Sequence, residues 1–364
     1  MTIGEIIHYL EHFAPPALQE SYDNSGLLTG EKSETAKGVL VSLDMTEEVI
    51  DEAIATGCNL IVAHHPIIFN GLKKLTGSNY IERTIIKAIR NHIALYAIHT
   101  NLDNVHGGVN KMIADKLGLT DCRILQPKKH LLRKLVTYAP HENAGDIRYA
   151  LFEAGAGHIG HYDHCSYNTE GYGTFRGDET TQPHKGMRGE DHEEPETRIE
   201  VVFPAFAEAV ILRALRKAHP YEEIAFDVLP MENAWKEVGS GMVGLLPLPL
   251  SEEAFLNLLR DTFEAKGIRF TRKTGRNISR VAVCGGAGSF LLRDAIMAKA
   301  DAFVTADFKY HQFFDADGHL LLADIGHYES EQFTKDLIVG LLTKKFANFA
   351  VHLSKVNTNP VNYL

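Results

Sequence analysis

Residues 38–63 read GVLVSLDMTEEVIDEAIATGCNLIVA, a stretch in which two kinds of pattern follow one another. GVLVSLD is a short, continuous apolar run, which is typical of a strand buried on both faces. MTEEVIDEAIATG has apolar residues at helical spacing and reaches Gly57, a residue type that commonly ends helices. NLIVA then begins a second apolar run. The stretch therefore predicts a strand–helix–strand unit of an α/β fold, in which helices cover the faces of a sheet.

The same alternation continues on both sides of this stretch. NYIERTIIKAIRNH (79–92) predicts a helix and IALYAI (93–98) predicts a strand, followed by a polar turn that leads into another helix. Later in the chain, SRVAVCGGAG (279–288) reads as a strand that enters a glycine turn, and HLLLADIG (319–326) reads as a further strand. The two ends of the chain are therefore predicted to form parts of one α/β domain.

The middle of the chain has a different order, strand–helix–strand–helix–strand, which predicts an inserted ferredoxin-like α+β domain. These elements are predicted at 133–140, 142–155, 198–205, 208–220 and 223–231. The predicted organisation is 1–127 for the first part of the α/β domain, 128–235 for the insert and 236–364 for the second part. Within the insert, the polar and acidic segment 176–197 is predicted to be an exposed loop.

The composition of the 364 residues argues against several classes of protein. The formal net charge of −10 disfavours broad electrostatic capture of nucleic acid or of an anionic membrane. No apolar run approaches the length of a membrane span, and the first residues read as an amphipathic helix and not as a signal peptide. The four cysteines form no CxxC pair, so we expect a reducing cytoplasm and a metal bound by nitrogen and oxygen.

Two adjacent histidines follow the second apolar run in LIVAHHPIIF (60–69). Ligands of open α/β sheets collect beyond the carboxyl ends of the strands. Two other predicted strands, IALYAI and HLLLADIG, also lead into residue types that bind metals. The second of them leads into a histidine and a glutamate that lie on one face of a helix. The candidate metal ligands are His64, His65, Asp103, His327 and Glu331. This set of nitrogen and oxygen donors suits zinc, iron or manganese.

The tandem of His64 and His65 favours two metal ions over one. Successive side chains on a regular strand point to opposite faces, so the two imidazoles diverge even though Pro66 interrupts the strand. Two ions that each bind one histidine therefore explain the tandem better than one ion that binds both. A core histidine with a satisfied hydrogen bond is the alternative, since sequence spacing alone does not bring the candidate ligands together.

Other candidates lie beyond further strands. In TADFKYHQFFDA (305–316), Asp307 and His311 are candidates for an outer-shell group or a general base, and equally for capping or core residues. We expect His311 to take part in proton transfer. CGGAGS (284–289) could bind a phosphate on its backbone amides, although a tight strand-to-helix turn is the simpler explanation.

Several motifs occur in the order known from one protein family. They are DNSGLL (23–28), VAHHPIIF (62–69), HTNLDNVHGGVN (99–110), VAVCGGAG (281–288), TADFKYHQFFDA (305–316) and DIGHYESE (324–331). The chain resembles the Nif-three-like dinuclear metal-centre proteins, whose members are often named GTP cyclohydrolase I type 2 homologues. The resemblance covers nearly the whole chain, although Tyr22 stands where the family often has tryptophan.

The resemblance implies that the five candidate ligands bind two divalent metal ions. It also implies a long-form member, with an inserted domain similar to the PII and CutA folds, that assembles into a toroidal homohexamer with the metal sites facing an internal cavity. The family name further implies GTP ring opening with loss of formate. A nucleotide is therefore the expected small-molecule substrate.

Two functional hypotheses follow. The first is a metal-dependent hydrolase in which Glu331 bridges both ions, His64 and His65 bind different ions, and Asp103 and His327 complete one site each. The second is a metal-binding regulatory or scaffold protein, in which the inserted domain senses a small ligand or a partner. Binding of nucleic acid is disfavoured by the charge balance.

Overall fold

The computed structural model describes all residues from 1 to 364, which form two compact units. The first unit combines the two ends of the chain, Met1–Gln126 and Glu237–Leu364, and the second unit is Pro127–Lys236. No helix in either unit is both long enough and apolar enough to cross a lipid bilayer. The ferredoxin-like character of the second unit, and its likeness to the PII and CutA folds, stay predictions.

The secondary structure consists of fifteen strands, eleven α-helices and four short 3-10 helices. The strands are β1 (Gly26–Thr29), β2 (Val39–Ser42), β3 (Leu60–Ala63), β4 (Ala94–Ala97), β5 (Thr120–Lys128), β6 (Leu132–Pro140), β7 (Tyr167–Phe175), β8 (His192–Pro204), β9 (Phe226–Met231), β10 (Trp235–Leu250), β11 (Arg269–Phe270), β12 (Ile278–Ala287), β13 (Ala302–Ala306), β14 (Leu321–Asp324) and β15 (Val351–Leu353). The α-helices are α1 (Ile3–Phe13), α2 (Glu47–Thr56), α3 (Tyr80–Arg90), α4 (Thr100–Asn104), α5 (Val109–Lys116), α6 (Ala144–Glu153), α7 (Glu208–Ala218), α8 (Glu252–Phe263), α9 (Leu292–Met297), α10 (His327–Glu331) and α11 (Thr334–Lys345). The 3-10 helices are Pro16–Leu18, Ala205–Ala207, Ser289–Leu291 and Tyr310–Ala316.

The first unit contains two sheets, of which the first has the order β1-β4-β3-β2-β15. Strands β4, β3, β2 and β15 are parallel neighbours, and β1 is antiparallel at the edge. β2, β3 and β4 are buried along their whole length, and apolar side chains of α2 and α3 pack against them in one cluster. The predicted α/β fold is confirmed, and the stretch 38–63 forms β2, α2 and β3.

The bounds of α2 follow from its local sequence. The Thr46 hydroxyl oxygen accepts a hydrogen bond from the backbone N–H of Val49 at the start of the helix. Gly57 has a left-handed φ of 73° at its end, a conformation that is easy for glycine and strained for most other residues. The chain can therefore turn directly into β3.

The second sheet of this unit has the order β11-β14-β13-β12-β10-β5. β12, β13 and β14 are parallel neighbours, whereas β10 pairs antiparallel with β12 and β11 pairs antiparallel with β14. A second apolar cluster covers this sheet with side chains from α9. In both sheets, the parallel strands β3, β4 and β14 lead at their carboxyl ends into the predicted metal ligands or their close neighbours.

The second unit is a four-stranded sheet of order β7-β8-β6-β9, in which every neighbouring pair is antiparallel. Its apolar core includes Ile147 of α6 and Ile211 of α7. The prediction that all of 176–197 is an exposed loop is wrong, because residues 192–197 begin β8 and pair with β7. This part of β8 is rich in charged side chains, so no run of apolar residues marks it as a strand.

Close packing requires glycine at position 108, the N-terminal cap of α5. A Cβ added to Gly108 would lie 1.7 Å from the carbonyl oxygen of Leu102, so the backbone would have to shift. We expect Gly108→Ala to lower the free energy of unfolding by about 2 kcal/mol or more, as overpacking usually does. Urea denaturation of the full chain measures this change.

Gly340→Ala is the matched control in the same unit. Gly340 is exposed within α11, and a Cβ added there meets no atom within 4 Å. Alanine should raise the free energy of unfolding by about 0.5–1 kcal/mol, because glycine is a poor helix former. Equal stability of the two variants would contradict the close approach of α5 to Leu102.

Candidate metal centre

His64 lies at the end of β3 and is completely buried. Its Nδ1 donates to the carbonyl oxygen of Ile98 at 2.9 Å, which fixes the tautomer and leaves a lone pair on Nε2. Nε2 has no hydrogen-bond partner, and it lies 3.6 Å from Asp103 Oδ1 and 3.8 Å from Glu331 Oε1. A nitrogen lone pair that faces two carboxylate oxygens is the arrangement expected around a cation.

His65 follows directly, with its ring centroid 4.9 Å from that of His64 and its plane tilted by 45°. Its Nδ1 donates to Asp44 Oδ1 at 2.7 Å, and its Nε2 lies 2.9 Å from Glu331 Oε2. The hydroxyl of Thr358 donates to the other oxygen of Asp44 at 2.5 Å. The tandem histidines therefore lie near different oxygens of the same Glu331 carboxylate.

His327 is the first residue of α10, after Gly326 with its φ of 95°. Its Nδ1 donates to Asp307 Oδ2 at 2.7 Å. Its Nε2 lies 3.1 Å from Glu331 Oε2 and 3.4 Å from His65 Nε2. The spacing of four residues thus places the imidazole and the carboxylate side by side, as helical periodicity predicts.

The glycines at the end of β12 leave the space that Glu331 fills. A Cβ added to Gly286 would lie 2.5 Å from Glu331 Oε1. The N–H of Gly286 donates to Ser330 Oγ, and the N–H of Gly285 donates to Asn110 Oδ1, both at 3.0 Å. CGGAGS therefore packs closely against Glu331, and these two amides are already used within the unit.

The structure brings the five predicted ligands together in two groups that share Glu331. His64, Asp103 and Glu331 form one group, and His65, His327 and Glu331 form the other, with the ligand atoms of each group within 4.8 Å of one another. His64 Nε2 and Asp103 Oδ1 are buried without a hydrogen-bond partner. Buried polar atoms without partners are rare, and a bound cation would satisfy both atoms, so the donor set fits divalent metal ions.

His99 is absent from the ligand set that the sequence predicts, yet it forms a third group with His64 and His65. Its Nδ1 donates to Asp23 Oδ1 at 2.8 Å, and the other oxygen of Asp23 accepts from the backbone N–H of Thr100 at 3.0 Å. The sequence could have identified His99 as a member of the site, because it comes just after β4, at the same sheet edge as His64. Asp23 thereby orients a histidine of this cluster.

His311 lies apart from these groups. It is exposed on the 3-10 helix Tyr310–Ala316, where its ring centroid is 5.1 Å from that of Tyr310 and 6.4 Å from that of Phe314. It does not line the cavity that His65, His99 and His327 line. Its role in proton transfer stays a prediction, whereas Asp307 of the same segment accepts a hydrogen bond from His327.

Opposite charges determine the protonation of the candidate ligands. Burial by itself lowers the pKa of His65 and of His327, but the adjoining carboxylates outweigh it and raise these pKa values to about 9 and about 11. Burial and the charge of Glu331 raise the pKa of Asp103 to about 7. Burial also opposes ionisation of Glu331, yet the neighbouring histidines, His327 foremost, hold its pKa well below the usual range. The raised pKa values therefore make His65 and His327 imidazolium cations at pH 7 when no metal is bound.

Four of the five candidate ligands, His65, Asp103, His327 and Glu331, line a cavity of about 1250 Å³ in the first unit, and His64 lies buried behind them. Four further lining side chains are aromatic and at least half exposed: Tyr22, Phe69, Tyr80 and Phe290. Exposed aromatic rings beside a polar cluster suit a substrate with a flat ring. The cavity therefore combines a charged interior with apolar surface for substrate contact.

A family model described as Duf34/NIF3 (NGG1p interacting factor 3) matches residues 1–360. The chain belongs to this family. Among NIF3 relatives, a protein of Bacillus subtilis named GTP cyclohydrolase 1 type 2 homolog is 38% identical over 367 residues, which cover 99% of this chain and 98% of the relative. The resemblance drawn from the sequence motifs is thus confirmed.

Solved structures agree with this membership. A Bacillus cereus protein related to NIF3 superposes with a TM-score of 0.87 at 36% identity, covering 100% of this chain and 99% of that one. A Staphylococcus aureus protein superposes with a TM-score of 0.79 at 31% identity, again over 100% and 99% of the two chains. The fold described above is therefore similar to that of solved proteins over its whole length.

Metal binding to this NIF3-family chain should release protons, because an imidazole must be neutral to bind a metal. The pKa values of about 9 for His65 and about 11 for His327 make both rings imidazolium cations at pH 7, with one proton more than the neutral ring that binds a metal, and the pKa of about 7 for Asp103 leaves that carboxyl about half protonated. We expect calorimetric titration of the metal-free protein with Zn²⁺ at pH 7 to show release of about two to three protons per loaded chain. The release appears as a dependence of the measured heat on the ionisation enthalpy of the buffer.

The sign of the pH effect follows from the direction of the shifts. Since both pKa values are raised, protons compete less as the pH increases from 7 to 9, and Zn²⁺ affinity should rise over that range. Heats that do not depend on the buffer would contradict a protonated metal-free site.

Proposed function

We propose that the chain is a hydrolase that depends on two divalent metal ions bound on either side of the Glu331 carboxylate. The main support for this proposal is that the ligand atoms are divided between the two oxygens of the Glu331 carboxylate. Oε1 is the oxygen nearest His64, and Oε2 lies beside His65 and His327. With Asp103 in the first group, each ion would have three protein ligands and keep positions for water or substrate.

The chain orients these donors through a second layer of hydrogen bonds. The Nδ1 atoms of His64, His65 and His327 all donate to protein oxygens, so every Nε2 is directed into the cluster. This donor set suits zinc, iron or manganese. Two such ions, when bound, supply Lewis acidity, which makes water nucleophilic near neutral pH.

The surrounding residues determine which substrate can approach. Asp44 and Asp307 act as positioning residues, because they hold the rings of His65 and His327. The exposed aromatic side chains of the cavity, Tyr22 and Phe69 among them, could stack on a purine base. A nucleotide substrate, and GTP ring opening with release of formate in particular, is the form of the proposal that agrees with the name of the relatives.

The proposal extends to assembly and location. We propose a toroidal homohexamer, which rests on the family resemblance and which light scattering of the purified protein tests directly. We also propose a cytoplasmic location, and the four free cysteines support it because none forms a disulfide. The alternative function, a metal-binding regulatory or scaffold protein that senses a ligand through residues 128–235, is favoured by a separate cavity in the second unit.

Glu331→Gln tests the shared ligand. Removing the charge of Glu331 should lower metal content from about two ions per chain to well under one, because both sites lose a ligand. Mass spectrometry of metals, on protein purified without added metal or chelator, measures the content.

Glu329→Gln is the matched control for this change. Glu329 lies on the same helix and is as buried as Glu331, with 4% and 3% exposure, but it belongs to neither ligand group. It should keep about two ions. Equal metal content in the two variants would contradict the shared-ligand proposal, as would a wild-type protein that zinc, iron and manganese all fail to load.

A turnover assay tests hydrolysis itself. The metal-loaded protein should release formate from GTP, and Glu331→Gln should lose about 100-fold or more of the rate.

His311→Asn should lower the rate and alter its pH profile, with metal content unchanged, if His311 transfers a proton. Failure with GTP alone would exclude that substrate. Failure across phosphoesters and cyclic amides as well would contradict the hydrolase proposal and leave the regulatory alternative.

A further inference from the structure

A second cavity, of about 590 Å³, lies wholly within the second unit. Residues of β7, of the turn that follows it, of β8 and of the segment 221–225 line this cavity. Its volume falls within the range of about 300–1,000 Å³ that is usual for small-molecule sites. It contains none of the metal ligands, so its role is separate from the proposed hydrolysis.

A buried carboxylate faces this cavity. Glu196 of β8 is only 8% exposed, and its Oε1 accepts a hydrogen bond from the Tyr221 hydroxyl at 2.8 Å. Its Oε2 lies against Gly173 on β7, where an added Cβ would come within 2.2 Å of it. Any larger side chain at position 173 would displace the Glu196 carboxylate. Glycine at 173 therefore leaves this side of the carboxylate open to the cavity.

Glu196 is buried and forms no ion pair, whereas the other carboxylates that line the cavity, Glu170, Glu222 and Glu223, are exposed to solvent. The two arginines of the lining pair with carboxylates outside it, Arg198 with Glu200 and Arg176 with Asp191. Burial of a carboxylate without a cation is costly. A cation that comes from outside the chain would remove this cost.

Four glutamates and two arginines line the cavity, so its formal charge is negative. Burial raises the pKa of the Tyr221 hydroxyl, and the hydrogen bond and charge of Glu196 raise it further, with added contributions from Glu194 and Glu142. Such a field attracts a positively charged ligand and repels an anion.

The walls of the cavity are aromatic. The ring centroid of Tyr221 lies 6.5 Å from that of Phe175 and 6.1 Å from that of His184. Tyr172 also lines the cavity and is 72% exposed. Aromatic faces bind organic cations through their quadrupoles and bind flat apolar groups by stacking.

A metal ion fits this cavity poorly. The three groups of side chains that bring at least three ligand atoms together all lie in the first unit. One buried carboxylate among aromatic rings is instead the arrangement that recognises an ammonium or amidinium group on an organic molecule.

We propose that the cavity of the second unit binds a small organic cation, an amine or amidine attached to a flat apolar group. The positive group contacts Glu196 across the opening at Gly173, and the apolar group lies between Tyr172, Phe175 and Tyr221. The second unit would thereby give the chain a ligand site that is independent of the metal centre.

Paired probes of almost equal shape test this proposal. Benzamidinium and neutral benzamide differ chiefly in charge, and calorimetry on the full-length protein measures the affinity of each. We expect benzamidinium to bind about tenfold or more tightly than benzamide, since a charge-assisted hydrogen bond is stronger than a neutral one. Tyramine, a more flexible aromatic amine, serves as a second cationic probe.

Variants identify the carboxylate that is responsible. Glu196→Gln keeps an acceptor for Tyr221 and should abolish the preference for benzamidinium. Gly173→Ala keeps the charge but places a methyl group against Glu196, so it should weaken benzamidinium binding as well. Glu223→Gln, an exposed residue of the cavity rim, is the matched control and should change the affinity less than about threefold.

Three results would overturn the proposal. They are equal affinity for benzamidinium and benzamide, unchanged benzamidinium binding in Glu196→Gln, and no binding of benzamidinium or tyramine up to about 10 mM. Metal content should be unchanged in these variants, because every changed residue lies in the second unit. Measuring it therefore distinguishes failure of the cation-site proposal from failure of the metal-site proposal.

Discussion

The buried carboxylate of Glu331 is the group on which the rest of the site depends. It is 3% exposed, and its oxygens lie within 4 Å of Nε2 atoms of His64, His65 and His327. An ionised carboxylate in such a place needs positive charge close by. Protons on His65 and His327 supply that charge in the metal-free protein, and bound metal ions would supply it in their place. Any metal ion that binds there would therefore have to displace these protons.

The fold explains why this carboxylate can be buried among histidines. Two sheets of the first unit direct the carboxyl ends of parallel strands toward one cavity, so that β3, β4 and β14 lead into His64, His99 and His327. The glycines at the end of β12 allow the chain to pass close to Glu331. An outer layer of acceptors, including Asp44 and Asp307, then fixes the direction of each ring.

The sequence brings out the five candidate ligands because the relevant residues follow short, fully apolar strands. His64 and His65 come directly after β3, and the pair of His327 and Glu331 depends only on helical periodicity. His99 satisfies the same rule but is a lone histidine, and its partner Asp23 is 76 residues away in a segment that reads as a turn. His311 also follows a strand, yet the 3-10 helix that contains it leaves it exposed, and local sequence does not reveal that orientation.

The prediction of a loop over 176–197 failed because the strand there is defined by pairing with a neighbouring strand and not by a run of apolar residues. The first residues of β8 are polar but pair with β7, and that hairpin forms one side of the cavity around Glu196. Side-chain patterns carry little information about such strands, because backbone hydrogen bonds to a neighbour define them. The cavity of the second unit is therefore visible only in three dimensions, whereas the residues of the candidate metal centre can largely be identified from the sequence.

Anomalous diffraction from crystals of the metal-loaded protein tests whether Glu331 is shared by two ions, because it locates each ion relative to this carboxylate. We expect two peaks per chain, one beside Glu331 Oε1 near His64 and Asp103, and one beside Oε2 near His65 and His327. A single peak that contacts both His64 and His65, or ions that bind without contact to Glu331, would contradict this expectation.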